Sequence, residues 1–299
     1  MPTEPTLRAE AAADPSPVLR TGYDGQWRIR WQDDGFDYLG LLKAFQEGLV
    51  QGTRLVTVSP SRVVHRVAYL GREFVIKFDR DVLKREKKPE KRLFYYFFGT
   101  QYSRLIDKTF EAVRKGCQAV QEIFLVAEKM KGRFCEQAWI VSEYVPGHSF
   151  AREEYVEGSP VVFRRPGPWI ENVCDSLLTL HEYGIASNDA DICNFVVTPE
   201  GQVKVIDLNL TGPMFMCKVN DVLKLRRNCG DVPLRLESFP LRMLVHLYGF
   251  WNLVLDRMRK LKRKPPAFKP WVVWEDYADF PERPVPTGRR SKATGGGST

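Results

Sequence analysis

The sequence predicts an α+β protein of two lobes, a small β-rich lobe followed by a larger helical lobe. Residues 54–78 are rich in Val and Tyr and contain two turn signals, which favours three short strands. From Pro168 onward, apolar residues recur at three- and four-residue steps, a spacing typical of amphipathic helices. The pair Pro146-Gly147 stands between the two patterns and is typical of a linker.

The composition is that of a globular protein with an excess of basic residues. Apolar residues make up 43% of the 299-residue chain and charged residues 27%, which argues against global disorder. No apolar run approaches the ~20 residues that a membrane span needs, and the first residues lack the pattern of a secretory leader. Six cysteines without a CxxC pair predict reduced thiols. The net charge of +8 fits an anionic partner.

The elements divide the chain into two lobes between two disordered tails. The tails are predicted at residues 1–22 and 281–299, where Pro, Ser, Thr, Gly and charged residues lack apolar periodicity. The first lobe is predicted to span residues 23–145. After its three strands we expect a basic helix at 80–92, a helix at 103–115, and strands at 122–128 and 138–144.

The second lobe is predicted to span residues 146–280 and to be mainly helical. A hairpin interrupts the helices, because two Val-rich runs flank a Thr-Pro-Glu-Gly-Gln turn. Its strands are expected at 195–197 and 203–206, and further helices at 217–228 and 239–263.

Three polar residues around this hairpin carry the strongest chemical signal. Asp189 precedes Asn194 by five residues, and Asp207 closes the hairpin 13 residues after Asn194. Phosphoryl transfer from ATP needs a carboxylate that orients the acceptor hydroxyl, and a carboxylate and an amide that hold Mg²⁺. The spacing matches the protein-kinase catalytic loop. We therefore predict Asp189 as the general base and Asn194 and Asp207 as metal ligands, whereas the spacing alone would equally suit loop capping.

Lys77 provides an independent indication of the same chemistry. It ends the third predicted strand, where protein kinases carry the lysine that pairs with the α- and β-phosphates. The alternative is an ordinary lysine on the solvent face of a strand. A carboxylate on the following helix is expected to orient Lys77, and we predict Glu111, with Asp107 as the rival.

Taken together, these features resemble the bacterial lipopolysaccharide core heptose kinases, a branch of the protein-kinase-like fold, and most of all the heptose II kinases. The resemblance covers about residues 53–264. It is carried by Lys77 and by five motifs: Phe98-Gly-Thr-Gln-Tyr102, Leu125-Val-Ala-Glu-Lys129, Glu143-Tyr-Val-Pro-Gly147, Asp189-Ala-Asp-Ile-Cys-Asn-Phe195 and Val205-Ile-Asp-Leu208.

The resemblance implies an ATP-dependent kinase that phosphorylates a heptose hydroxyl of the lipopolysaccharide inner core. ATP and Mg²⁺ would be its cofactors, and Glu143 and Val145 would join Lys77 in binding the nucleotide. Its partner would be the core oligosaccharide on lipid A. The resemblance places the protein in the cytoplasm, peripheral on the inner face of the bacterial inner membrane.

Two departures from the kinase pattern keep other functions open. No glycine stands between Gly52 and Gly71, so a Gly-rich loop over the phosphates is absent from the sequence. Asp191 stands two residues after Asp189, where protein kinases often have a lysine, and a carboxylate there would repel the γ-phosphate unless it binds metal. The alternatives are a kinase-like module that binds lipopolysaccharide or a partner, and an aminoglycoside-type kinase with an acidic pocket.

Two basic segments, at 80–92 and 257–264, predict a contact with an anionic membrane surface. The first is followed by six apolar or aromatic residues, and the second follows an apolar helix. The alternative is a charged face exposed to water. Nucleic acid is not expected as a partner, because the sequence contains no nucleic-acid-binding module and no zinc-ligand spacing.

Overall fold

The computed structural model describes residues 17–55, 61–85, 89–150, 161–164, 166–229, 243–248, 250 and 272–275. The chain divides into two compact units. Unit 1 comprises Met1–Phe110 and Glu122–Tyr144, and unit 2 comprises Glu111–Gln121 and Val145–Thr299.

Unit 1 is built on a seven-stranded sheet in which all neighbouring strands are antiparallel. The strand order is β1-β2-β6-β7-β5-β4-β3. The strands are β1 (Val18–Asp24), β2 (Trp27–Asp33), β3 (Gly52–Arg54), β4 (Arg62–Tyr69), β5 (Arg72–Asp79), β6 (Ile123–Lys131) and β7 (Phe134–Glu143).

A helix covers one face of this sheet and forms the core of unit 1. Helix α1 (Tyr38–Gln46) begins at Asp37, whose side chain accepts a hydrogen bond from the Gly40 amide at 2.8 Å. Its buried residues pack with alternate residues of β5, Phe74 and Ile76. Three more helices follow β5 along the chain: α2 (Val82–Arg85), α3 (Pro89–Phe98) and α4 (Gln101–Arg114).

Unit 2 contains a helix packed on a small sheet. Helix α5 (Ile170–Glu182) buries one apolar face, and its Ser176 hydroxyl donates to the carbonyl of Val203 at 2.7 Å. The antiparallel sheet has the order β11-β10-β8, formed by β8 (His148–Ser149), β10 (Phe195–Val197) and β11 (Val203–Val205). Strand β9 (Val161–Arg164) pairs in parallel with β12 (Val272–Glu275), and helix α6 (Met214–Cys229) follows β11 along the chain.

These elements confirm the predicted α+β class, with a β-rich first part and helices in the second. Of the three strands predicted within 54–78, the second and third are present as β4 and β5. The first overlaps β3 only at Arg54, and residues 56–60 lie outside the described residues. The strands predicted at 122–128 and 138–144 are present as β6 and β7. The predicted helices at 103–115 and 217–228 and the hairpin are present with shifts of a few residues, and helix α5 follows Pro168 as expected. All six cysteines are free, as predicted.

The N-terminal part of unit 1 contains more secondary structure than the sequence predicted. Residues 17–22 were assigned to a disordered tail, but Val18–Asp24 is strand β1, paired along its length with β2. That pairing and the ion pair between Arg20 and Asp33 of β2 hold this largely exposed edge strand. The sequence did carry signals for the next two elements: Trp27, Ile29 and Trp31 alternate with polar residues, and Asp37 precedes an apolar helical period.

The predicted basic helix at 80–92 is wrong in its bounds. Arg80 precedes α2, and α3 begins at Pro89, a residue that fits the first turn of a helix because it lacks an amide donor. Of the helix predicted at 239–263, the structure describes 243–248 and 250, which are helical. The tails at 1–16 and 281–299 and the basic segment at 257–264 lie outside the described residues. None of the described helices is long and apolar enough to span a membrane.

Candidate active site

A buried carboxylate on α6 fixes the backbone that leads into the predicted catalytic loop. Asp221 is fully buried, and its Oδ2 accepts a hydrogen bond from the Ser187 amide at 2.9 Å. The same oxygen lies 3.0 Å from Nε2 of His181, the last buried residue of α5. Burial raises the pKa of Asp221, against the lowering effect of these hydrogen bonds. Asp221 thus joins α5, α6 and the start of the loop.

Replacing Asp221 with alanine is expected to lower the free energy of unfolding by about 3 kcal/mol, because the buried Ser187 amide and His181 ring lose their partner. Asp175→Ala is the matched control, since Asp175 is an exposed aspartate on α5, and it should change stability by less than about 0.5 kcal/mol. Urea unfolding followed by circular dichroism measures both values. Equal stability of the two variants would contradict the anchoring role of Asp221.

The loop brings Asp189 and Asn194 together. The Asn194 side-chain amide donates to the backbone carbonyl of Asp189 at 2.8 Å, and the Asn194 backbone amide donates to the carbonyl of Asp191 at 2.9 Å. The Ile206 amide donates to the Asn194 carbonyl at 2.8 Å, which brings the end of the hairpin beside this residue. Asp207 therefore follows directly on a residue that is hydrogen-bonded to Asn194.

Two residues of the site have left-handed backbone conformations. Asn188 has φ of 56° and Asp207 has φ of 55°, a region that Asn and Asp enter more readily than other non-glycine residues. The Asn188 side chain stabilises its turn, because Nδ2 donates to the Asn209 carbonyl at 2.7 Å and Oδ1 accepts from Asn220 at 2.9 Å. The turn places Asp189, the next residue, at a fixed position relative to α6.

The predicted linker residue Gly147 is needed for the sheet beneath this loop. Its φ is 141°, and a Cβ atom there would overlap the carbonyl oxygen of Val197 in β10. Only glycine allows the backbone to approach so closely. Strand β8 follows immediately and pairs with β10, which leads out of the catalytic loop.

Two functional candidates on α6 were missed by the sequence analysis. Lys224 Nζ forms ion pairs with Oδ1 of Asp189 and, at 3.1 Å, with Oδ2 of Asp191. One turn further along α6, the Asn228 side chain donates to Oδ1 of Asp191 at 2.9 Å. The spacing of Lys224 and Asn228 puts them on one helix face, but nothing in the sequence indicates which loop that face meets.

The charges of this cluster act on each other. Burial raises the pKa of Asp189 to about 6, against the hydrogen bond and charge of Lys224, which lower it. Burial also acts to raise the pKa of Asp191, but the hydrogen bond from Asn228 and the charge of Lys224 lower it overall. Burial raises the pKa of Cys193 to about 12, and three negative charges add to the rise, those of Asp191, Asp189 and Asp207. The negative charge of these carboxylates therefore disfavours the thiolate form of Cys193.

The predicted nucleotide-binding residues of unit 1 lie in its sheet. Lys77 stands in β5 between Val64 of β4 and Ile140 of β7, and strand alternation puts it on the face opposite Phe74 and Ile76. Glu143 ends β7, and its side chain accepts a hydrogen bond from the Glu122 amide at 3.2 Å. Their roles toward a nucleotide stay predictions.

The remaining predicted residues lie in unit 2 or at its boundary. Glu111 pairs with Lys115 at 2.7 Å within one helical turn, and its pairing with Lys77 stays a prediction. Its rival Asp107 forms a two-pronged ion pair with Arg30 in unit 1, which occupies its carboxylate. Val145 is 8% exposed and begins the second stretch of unit 2.

Comparison with known proteins decides the family. A family model described as "Lipopolysaccharide core biosynthesis protein (WaaY)" matches residues 71–264, more than half of the chain. The chain belongs to this family. The match confirms the family predicted from the sequence, and the WaaY region covers β5 together with the predicted catalytic loop, the hairpin and α6.

Among curated proteins, this WaaY-family chain matches the lipopolysaccharide core heptose(II) kinase WaaY of Escherichia coli. The two are 25% identical over 168 residues, which are 56% of this chain and 66% of that kinase, just under two thirds of its length.

Two solved structures match the chain at low sequence identity. WaaP in complex with acyl carrier protein is 16% identical, covers 76% of this chain and 98% of its own, and has a TM-score of 0.44. The PknI kinase domain of Mycobacterium tuberculosis is 16% identical, covers 63% of this chain and 78% of its own, and has a TM-score of 0.37. Neither likeness identifies an activity.

Proposed function

We propose that this WaaY-family protein is a kinase that transfers the γ-phosphate of ATP to a heptose hydroxyl of the lipopolysaccharide inner core. The observation that supports this most is the loop of unit 2, in which Asn194 is hydrogen-bonded to Asp189 and Asp207 follows the residue bonded to Asn194. Family membership and the heptose(II) kinase named for the Escherichia coli relative support the choice of acceptor.

Asp189 would orient the acceptor hydroxyl and take its proton. Its side chain is 28% exposed, so an acceptor can approach it from solvent. Lys77, Glu111, Glu143 and Val145 remain the proposed nucleotide-binding residues.

Asp207 and Asn194 would hold Mg²⁺. They offer a carboxylate and an amide oxygen, the hard ligands that Mg²⁺ prefers. The Asn194 Nδ2 donates to the Asp189 carbonyl, which fixes the orientation of the amide, and its Oδ1 accepts a contact from the Cys193 thiol at 3.6 Å. Asp207 is exposed. The described residues contain no cluster of three or more His, Cys, Asp or Glu side chains that could hold a metal without Asn194. Bound Mg²⁺ would neutralise charge on the β- and γ-phosphates.

Mass spectrometry of the acceptor tests this function. Purified protein is incubated with Mg-ATP and a core oligosaccharide that lacks phosphate on its heptoses, and we expect the mass of one phosphate to appear on a heptose. ATP turnover that instead needs an aminoglycoside would favour the second kinase class. Binding of the oligosaccharide without any ATP turnover would favour the kinase-like binding module.

An exposed aromatic surface on α3 supports the proposed contact with an anionic membrane. Four of its side chains are 47–69% exposed, and we call them the aromatic face: Leu93, Tyr96, Phe97 and Phe98. The exposed Arg92 precedes this face, and Arg133 stacks on the Tyr96 ring at 4.5 Å. Aromatic rings flanked by cations suit the boundary between lipid headgroups and acyl chains.

Replacing both Leu93 and Phe97 with serine is expected to abolish most binding to anionic liposomes. Each apolar side chain that leaves water contributes roughly 1.5–3 kcal/mol. The control is Leu49→Ser, because Leu49 is 75% exposed in the same unit but lies outside α3. Flotation with phosphatidylglycerol vesicles compares the variants with the wild type. Equal flotation of all three proteins would exclude the aromatic face as the membrane contact.

A further inference from the structure

The proposed catalytic loop contains neighbouring carboxylates and no cation of its own to offset their negative charge. Asp191 adds a second carboxylate two residues after Asp189, and both carboxylates contact Lys224. An incoming γ-phosphate would meet two negative groups on this side, since Asp207 is the carboxylate assigned above to Mg²⁺. A cation beside Asp189 is needed to offset the repulsion between like charges.

Lys224 is that cation, and it comes from a helix rather than from the loop. Its ammonium group contacts the carboxylates of both Asp189 and Asp191, and Asn228 holds the second oxygen of Asp191. All four residues belong to unit 2. Because α6 is joined to the loop through buried Asp221, the position of Lys224 relative to Asp189 is set by packed backbone.

The cluster is open to a ligand. The side chains of Lys224, Asp189 and Asp191 are 36%, 28% and 42% exposed. A lysine ammonium has three N–H donors. Two of them serve Asp189 and Asp191, so the third can contact a phosphate oxygen while Lys224 keeps both carboxylates in place.

We propose that Lys224 is a catalytic residue that orients Asp189 and contacts the γ-phosphate during transfer, with Asp191 and Asn228 positioning it. The proposal rests on the kinase function proposed above. In the step, the acceptor oxygen forms a bond to the γ-phosphorus and gives its proton to Asp189. The bond from that phosphorus to the β–γ bridging oxygen breaks, and ADP leaves with the electron pair. Lys224 stabilises the charge on the γ-phosphate oxygens.

Lys224→Met tests the role, with Lys224→Arg as the conservative variant. Removing one preorganised donor to a transition state costs about 10²–10³ in kcat, and we expect the Kd for Mg-ATP to change by less than about threefold, since the loss is confined to the transition state. Lys224→Arg should recover at least about tenfold of the lost kcat, because it keeps the charge. The control is Arg227→Met, which removes an exposed cation from the same helix.

A second variant tests whether kcat depends on a positive charge near Asp189 rather than on lysine at position 224. Asp191→Lys combined with Lys224→Met places the positive charge in the loop instead of on α6. Recovery of at least about tenfold in kcat over Lys224→Met would support the proposal, because a charge at either position can reach the γ-phosphate. A lower melting temperature with unchanged kcat for the folded fraction of Lys224→Met would overturn it and leave a structural ion pair.

The assays use ATP hydrolysis with water as acceptor and phosphorylation of the core oligosaccharide in parallel. Hydrolysis that depends on Lys224, without phosphorylation of the oligosaccharide, would overturn the proposed acceptor and support the role of Lys224. Oligosaccharide phosphorylation that is indifferent to Lys224→Met would overturn the role of Lys224 and support the proposed function. A wild-type protein that turns over no ATP in either assay would overturn both.

Discussion

Replacing Asp189 with alanine is expected to lower kcat by about 10³-fold, because proton transfer and positioning by one carboxylate contribute in the transition state. The fold should be retained. Asp191 remains as a partner for Lys224, so the substitution leaves no buried charge without a counterion. Single-turnover phosphorylation at saturating ATP measures the loss, and circular dichroism reports the fold.

Glu200→Ala serves as the control for Asp189→Ala. Glu200 lies in the turn between β10 and β11, close in sequence to the site but on the hairpin tip, where it is exposed. Its removal should leave kcat unchanged. Retention of more than a tenth of wild-type turnover in Asp189→Ala would show that another group takes the proton.

Asp207→Asn is expected to raise the Mg²⁺ concentration needed for half-maximal activity by at least about tenfold, because a metal ligand loses its negative charge. Asparagine suits this test because it enters the left-handed backbone region as readily as aspartate, and Asp207 has φ of 55°. The substitution therefore removes charge without forcing the backbone to change. A Mg²⁺ titration at fixed ATP measures the effect.

Asp175→Asn provides the matched charge change away from the loop, on the exposed side of α5. It should leave the Mg²⁺ titration unchanged. If the wild-type protein turned over ATP equally well with and without divalent metal, Asp207 and Asn194 would not be metal ligands.

Part of unit 1 could be predicted from the sequence and part could not. Strands β4 and β5 were predictable because their runs of β-branched and aromatic residues are bounded by turn residues. Strand β1 was not, because its residues are mostly exposed and do not alternate between apolar and polar. It is held in place by hydrogen bonds to β2 along its whole length, and a local sequence pattern does not indicate such a pairing.

Within the site, the sequence by itself determined the spacing of Asp189, Asn194 and Asp207 and the hairpin that separates them. Local backbone preferences and turn chemistry act over a few residues, so they can be read in order along the chain. Those signals predict a kinase-like phosphotransferase. The family was predicted from a resemblance of several motifs along the chain, and the WaaY match confirms it.

Only the tertiary structure decided what surrounds Asp189. Lys224 is separated from Asp189 by 35 residues, and its ion pair depends on how α6 packs against the loop through Asp221. A long-range contact between charges leaves no periodic or local trace in a sequence, because either partner alone has the composition of an ordinary exposed residue. The packing of α6 therefore determines which cation lies beside Asp189, whereas the local sequence was sufficient to single out Asp189.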